Sequence, residues 1–380
     1  SEEAAVTVLQ LLKDLEVGGG QTYVLKLARA LSDAGHRVIV VSSGGALLPQ
    51  LDRAGVPHFR LSFSSPAAAG AVFKLRRLIR REKVDLLNAH NWTAGAIGYL
   101  ASYLAGIPYV FTVHGVRKDV QRFMVFYWGQ KVITLSPESR QRLVQRWGLK
   151  PERVVESMIG VDTEIFSPRQ PDRALLRSLA LGPDAPKIVH VCRFRRTKAA
   201  VALALIEAAP TLDSLCPGVQ ALLVGGGVLE DKVRHRAQQM NEALGRTAYV
   251  CTGSREDVAD LLNLGAVVVG TASVALEAMS CGKPVVAAGK AGFFGLVTPE
   301  NFEQAYFSCF GDHGHAGYLP STTAQALGEA CCSVLRDEPL ARRLSDFGRR
   351  SAVERFSLES MAHSVEAIYR EVTSARPADM

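Results

Sequence analysis

A carboxylate set inside an apolar helix is the first group in this chain whose surroundings demand a chemical explanation. Residues 265–289 read GAVVVGTASVALEAMSCGKPVVAAG. The run 266–269 is apolar and mostly β-branched, as a strand covered on both faces requires, and Gly270-Thr271 breaks it before helix-forming residues resume. Thr271 fits an N-cap, Gly282 a helix stop and 285–288 a second strand, so the unit is β-α-β in a parallel sheet. Glu277 is surrounded by Val274, Ala275, Leu276, Ala278 and Met279, so its charge needs a partner or a ligand. Ser273 stands one helical turn earlier on the same face. Backbone N–H groups, a hydroxyl and a carboxylate in that order suit a nucleotide, with phosphate at the helix end and ribose hydroxyls at the acid. A Glu at a helix edge paired with a Lys or Arg fits the same spacing.

The strands expected around this unit, 187–192, 220–224, 248–251, 266–269 and 284–287, all bring similar chemistry to one edge. The first ends at Arg193 with Lys198 just beyond, the second at Gly225-Gly226-Gly227, and the third at Thr252-Gly253-Ser254. Arg193 offers a bidentate fork and Lys198 a point charge, both suited to phosphate oxygens. With Gly226, Gly253, Thr271, Ser273 and Glu277 they make up an expected donor-binding edge.

The first half opens with the same alternation of elements, a strand at 5–12, Gly18-Gly19-Gly20, a helix at 23–31 and a strand at 38–41. Gly19 and Gly20 would let a ligand approach the backbone at a helix start, although G-x-G-x-x-G is absent from both halves, which argues against a dinucleotide oxidoreductase. Strands at 84–87 and 109–113 lead into His90-Asn91 and His114, the edge where open α/β sheets bind ligands. Residues 73–83, FKLRRLIRREK, form an amphipathic basic helix, either a solvated outer face or a site for anionic lipid.

At 380 residues the chain exceeds one ordinary core and fits two domains, with 167–184, which carries three prolines, as the linker. Apolar residues at 48% and charged residues at 21% describe a globular chain, and no apolar run approaches the ~18 residues of a spanning helix. The start, SEEAAVTVLQLL, has no basic leader region, so the cytoplasm is the expected location, with peripheral contact at the inner face of an anionic membrane. Seven cysteines without a C-x-x-C pair indicate neither a disulfide framework nor a zinc site. A net charge of +7 favours an anionic partner, and without a nucleic-acid-binding signature that partner is not nucleic acid. Residues 291–317 read as irregular; Asp312, His313 and His315 there could ligate a metal but are equally a polar loop. Two amphipathic helices, 340–354 and 358–372, end the chain.

Four blocks, GGGQTYVLKLARALSDAGHRVIVVS, DLLNAH with TVHG, IGVDTEIFSP, and RFRRTK with LEAMSCGKPVVA, give the chain its resemblance to the retaining glycosyltransferases of family 4. The resemblance implies an α/β chain of two Rossmann-like β/α/β domains facing across a cleft, the GT-B fold. It implies an acceptor-side domain at 1–168, a nucleotide-sugar domain at 169–355, and a C-terminal helix, 356–380, crossing back to the first. Arg193 and Lys198 would hold the donor diphosphate, Glu277 the ribose, the Gly19-Gly20 turn the same phosphate, and His90 a sugar or acceptor hydroxyl, with His114 and Asn91 beside it. His90, Arg193 and Lys198 are then the expected catalytic residues. The implied reaction moves a sugar from a nucleoside-diphosphate sugar to a sugar or lipid-linked hydroxyl acceptor, in cell-envelope, glycolipid or polysaccharide synthesis. No D-x-D motif is present, so neither metal nor cofactor is expected. Val269 stands where the family carries a second Glu. The shortened loop after it is similar to inverting lipid-linked transferases, which leaves retention and inversion open. A GT-B nucleotide-sugar epimerase and a non-catalytic nucleotide-sugar sensor are the alternatives.

Overall fold

The computed structural model describes residues 5–63, 68–115, 128–195, 197–314 and 318–374. They form two α/β units, Ser1–Gly160 with Leu358–Met380, and Val161–Ser357.

In the first unit, β1 (Thr7–Leu11), α1 (Gly19–Asp33), β2 (Arg37–Ser42), α2 (Leu48–Arg53), β3 (His58–Arg60), α3 (Ala68–Glu82) and β4 (Leu86–Ala89) follow in order. Then come α4 (Trp92–Ala105), β5 (Tyr109–Val113), β6 (Lys131–Thr134), α5 (Pro137–Gln141) and β7 (Val154–Glu156). The seven strands are parallel in the order β3-β2-β1-β4-β5-β6-β7. Buried strands such as Tyr109–Val113 have apolar side chains on both faces because helices cover both. The first helix begins at Gly19 rather than at 23, since Gly18 takes the extended N-cap conformation and the glycines form the first turn.

The second unit runs α6 (Arg173–Ser178), β8 (Lys187–Val191), α7 (Ala199–Glu207), α8 (Ala209–Leu215), β9 (Gln220–Val224), α9 (Glu230–Leu244), β10 (Tyr249–Gly253) and α10 (Val258–Leu264). It continues with β11 (Val267–Gly270), α11 (Ala272–Ser280), β12 (Val285–Gly289), β13 (Gly292–Leu296), α12 (Phe302–Phe307), α13 (Ala324–Leu335) and α14 (Glu338–Arg355). Its six strands lie in the order β10-β9-β8-β11-β12-β13, parallel except for the antiparallel edge strand β13. The stretch read as irregular thus contains a strand and a helix. Its glycines mask a hairpin, in which the register shifts between Ala287 and Ala288 and breaks the regular alternation. The expected linker also holds α6, capped by the Asp172 carboxylate accepting from the N–H groups of Ala174 and Leu175.

The last helix, α15 (Leu358–Ser374), rejoins the first unit. Its Met361, Ala362, Val365, Ile368, Tyr369 and Val372 are buried in one apolar core with Tyr23, Val24, Leu27 and Leu31 of α1. The units divide at Gly160/Val161 and Ser357/Leu358. Among the described residues no helix is long and apolar enough to cross a membrane.

Candidate functional site

In each sheet the strand order reverses beside its first strand, between β1 and β4 and between β8 and β11. Loops at the carboxyl ends of such a pair leave in opposite directions and open a crevice, the usual ligand position in open α/β sheets. Gly19-Gly20 follows β1 and His90 follows β4; Arg193 and Lys198 follow β8, while Thr271, Ser273 and Glu277 follow β11.

In the second unit, a tight turn in which Arg195 N–H donates to Arg193 O at 2.7 Å leads to Lys198, the N-cap residue of α7. Arg193 is exposed and Lys198 half-buried. Lys198 Nζ lies 2.9 Å from Asp312 Oδ1. Burial alone would raise the Asp312 carboxyl, but Lys198, His313 and Lys290 outweigh it and hold its pKa below the ordinary value. Asp312, read from sequence as a possible metal ligand or equally as part of a polar loop, is an ion-pair partner. His315 lies outside the described residues, which contain no cluster of three metal-binding side chains.

Helix α11 has the expected N-cap residue, but Thr271 makes no side-chain cap. The Ala272 N–H donates to Cys309 O at 3.1 Å, and the Val274 N–H turns back to Thr271 O. These two donors are therefore not offered to phosphate as the helix start suggested. Ala272, Cys309 and Phe310 all have positive φ, +50°, +51° and +56°, at a cost of roughly 1 kcal/mol or more each. The same loop presses its Gly311 carbonyl against Gly289, where an added Cβ would sit 2.5 Å from that oxygen. Glu277 is 8% exposed, and Ser273, one turn before it, is half-buried. Val269 is fully buried inside β11 and offers no side chain to the edge.

Gly226 and Gly253 serve their own chain. A Cβ on Gly226 would lie 2.5 Å from Ser254 Oγ and 3.0 Å from Glu230 Oε2, and one on Gly253 3.3 Å from Glu230 Oε1. Their backbones clasp neighbouring segments, Phe194 N–H to Gly226 O at 2.9 Å and Gly225 N–H to Gly253 O at 2.9 Å. The close approach that glycine permits is here to protein.

In the first unit His90 Nδ1 and His114 Nε2 are 3.1 Å apart, and the Tyr23 ring packs edge-on to His114 at 5.1 Å between centroids. A Cβ on Gly20 would meet the His114 ring at 3.4 Å, whereas one on Gly19 would meet nothing within 4 Å, so open space lies above Gly19. Burial, and then the charge of His114, depress the His90 pKa well below the usual imidazole value. His90 is consequently neutral at pH 7. The Asn91 oxygen is committed to the N-cap of α4, accepting from Ala94 N–H at 3.0 Å.

Sequence reading missed the groups behind His90. Gln10, Asn88 and Thr112 are fully buried polar residues on β1, β4 and β5, and Tyr369 of α15 joins them. The available signal was a polar residue inside a mostly apolar strand, Gln10, Asn88 and Thr112 in turn, since such a group is costly without partners.

Residues 17–165 match the model described as Glycosyltransferase Family 4, and residues 185–337 match Glycosyl transferases group 1. The chain is 26% identical to D-inositol 3-phosphate glycosyltransferase 2 of Catenulispora acidiphila over 93% of this chain and 90% of that protein. Among solved structures, a glycosyltransferase from Rickettsia africae superposes with a TM-score of 0.80 at 21% identity, covering 98% of this chain and 100% of that one. Anabaena HepE, solved in complex with UDP and glucose, gives 0.76 at 22% identity, covering 96% and 100%. With both matched regions in order over most of its length, and two Rossmann-like units beneath them, the chain belongs to the family 4 glycosyltransferases of GT-B fold.

Proposed function

We propose that this glycosyltransferase takes its sugar from a nucleoside-diphosphate sugar and transfers it, with retention and without a metal, to a hydroxyl acceptor. The observation that carries the reading is the set Arg193, Lys198 and Glu277 at the switch point between β8 and β11. Breaking the anomeric C–O bond leaves charge on a diphosphate, and two fixed cations meet that charge as it develops. Glu277 serves the ribose hydroxyls, and neutral His90 a hydroxyl of the sugar. HepE, crystallised with UDP and with UDP-glucose, supports a donor of this class. In the family, leaving group and acceptor share one face of the sugar, so retention needs no protein nucleophile.

The same reading gives the enzyme a lipid-linked acceptor at an anionic membrane, in cell-envelope or glycolipid synthesis. Its support is the outer face of α3 and α4. Lys74, Arg77, Arg80 and Arg81 are exposed there, with Phe73 at 65%, Leu100 at 46% and Tyr103 at 66% exposure. A basic surface with apolar side chains in water suits anionic lipid.

Saturation-transfer NMR against UDP-, GDP-, ADP- and TDP-sugars, followed by transfer assays with EDTA, tests the donor. One nucleotide series should bind, and nucleoside diphosphate should appear only when a hydroxyl acceptor is present. An altered sugar and free nucleotide without acceptor would make the protein an epimerase. Binding without turnover on any hydroxyl would make it a sensor.

A further inference from the structure

His90 is held from behind by a buried hydrogen-bonded chain that ends on α15. His90 Nε2 lies 2.6 Å from Gln10 Oε1. Gln10 Nε2 donates to Tyr369 Oη at 3.0 Å, and Asn88 Nδ2 donates to the same oxygen at 2.7 Å. Thr112 Oγ1 donates to Asn88 Oδ1 at 3.0 Å. Gln10 and Asn88 are register partners on neighbouring strands, and Tyr369 is 2% exposed.

The directions in this chain follow from the orientation of its two amides. Thr112 occupies the Asn88 oxygen, which turns the Asn88 amide nitrogen toward Tyr369. The Gln10 nitrogen also faces Tyr369, so its oxygen faces His90. An amide oxygen only accepts, and the proton between Gln10 and His90 therefore belongs to His90 Nε2. A neutral imidazole has one N–H, which leaves Nδ1 as a lone pair. That lone pair accepts from His114 Nε2–H, 3.1 Å away.

We propose that Tyr369 is a positioning residue: through Gln10 it fixes the Nε2–H tautomer of His90, so that Nδ1 is an acceptor, occupied by His114 Nε2–H until a hydroxyl of the transferred sugar takes that place. The offer to sugar rests on the function proposed above; the fixed tautomer does not. The chain also joins the last helix to the first unit's candidate site, so α15 contributes to that site without touching the ligand. Tyr369→Phe removes the shared acceptor while keeping the ring in its core position. The Gln10 amide then loses the acceptor that set its orientation, and His90 loses its fixed partner.

Selective 15N-histidine labelling reads the tautomer directly. In the wild type His90 Nε2 should give a protonated and Nδ1 an unprotonated nitrogen shift. Tyr369→Phe should mix the two forms and lower turnover about tenfold with donor KM unchanged, the scale of a lost supporting hydrogen bond. Gln10→Glu, which still accepts from Nε2–H, should keep the tautomer. Should Tyr369→Phe fail to fold, Gln10→Met removes the same link and should mix the tautomers. An unprotonated Nε2 in the wild type would overturn the proposal, as would Tyr369→Phe, or Gln10→Met in its place, with wild-type shifts. If the tautomers shift as expected but no sugar is transferred by any form, the function proposed above fails and the positioning role stands.

Discussion

Lys198 Nζ and Asp312 Oδ1 are 2.9 Å apart, which couples the cation expected to meet the donor diphosphate to an acid from the segment between α12 and α13. Lys198 caps the N-terminus of α7, where the helix dipole disfavours a cation, and Asp312 offsets both that dipole and the lysine charge. A diphosphate arriving there meets a cation that already has an anion beside it. Asp312→Asn should therefore tighten nucleoside diphosphate binding by roughly three- to tenfold, the scale of one partly screened charge. Isothermal titration checks this; weaker binding by the variant would mean that Asp312 orients Lys198 rather than competes for it.

The same pair makes stability depend on pH. The folded Asp312 carboxyl titrates below its ordinary value of about 4, so its contribution is present above that value and is lost as pH falls through the lower folded one. Urea midpoints of wild type and Asp312→Asn should differ most at neutral pH and converge below about pH 4. A constant gap across that range would remove the ion pair as the cause.

Exposure of the α3 surface leads to a third expectation, with Arg77 and Arg80 as the residues to change. Arg76 donates its Nε to Leu104 O and Arg81 donates to Glu82, so those two also hold local structure. Arg77→Glu with Arg80→Glu should abolish salt-sensitive binding to vesicles containing anionic lipid and leave nucleotide affinity unchanged. Equal flotation of wild type and variant with such vesicles would refute membrane docking by this face.

What was legible from sequence had a local cause. Val267–Gly270 followed by Thr271 and the Leu-Glu-Ala-Met run specifies strand, turn and helix within one window, so β11 and α11 emerged with their site residues in order. Arg193 and Lys198 stand out in the sequence because charge directly after a buried strand has few structural uses. The relation of Lys198 to Asp312 was not legible, because it depends on how β13, α12 and the strained turn at Cys309 and Phe310 fold back on Gly289. Gln10 likewise acquires its meaning only when α15, far along the chain, brings Tyr369 to it. The sequence likewise did not show that Ser254 and Glu230 lie against Gly226 and Gly253, a closeness that depends on how their loops fold together.

Lys198 and Glu277 should separate chemistry from binding. The lysine would face oxygens whose negative charge grows as the glycosidic bond breaks, so its interaction is stronger in the transition state than in the ground state. Lys198→Ala should then reduce kcat by on the order of 10²-fold with a smaller change in donor affinity, as for one lost electrostatic stabiliser. Glu277 would face ribose hydroxyls, which do not change during transfer and so contribute equally to both states. Glu277→Gln should weaken nucleotide binding by roughly 1.5–3 kcal/mol, the value of a hydrogen bond to a charged group, and leave kcat at saturation close to wild type. It should also discriminate against 2′-deoxy nucleotides less than the wild type does. Donor titrations paired with single-turnover rates measure both quantities. If Glu277→Gln abolishes turnover while nucleotide affinity is unchanged, Glu277 acts on the reacting sugar, and the ribose must be held by another group at the β11 edge.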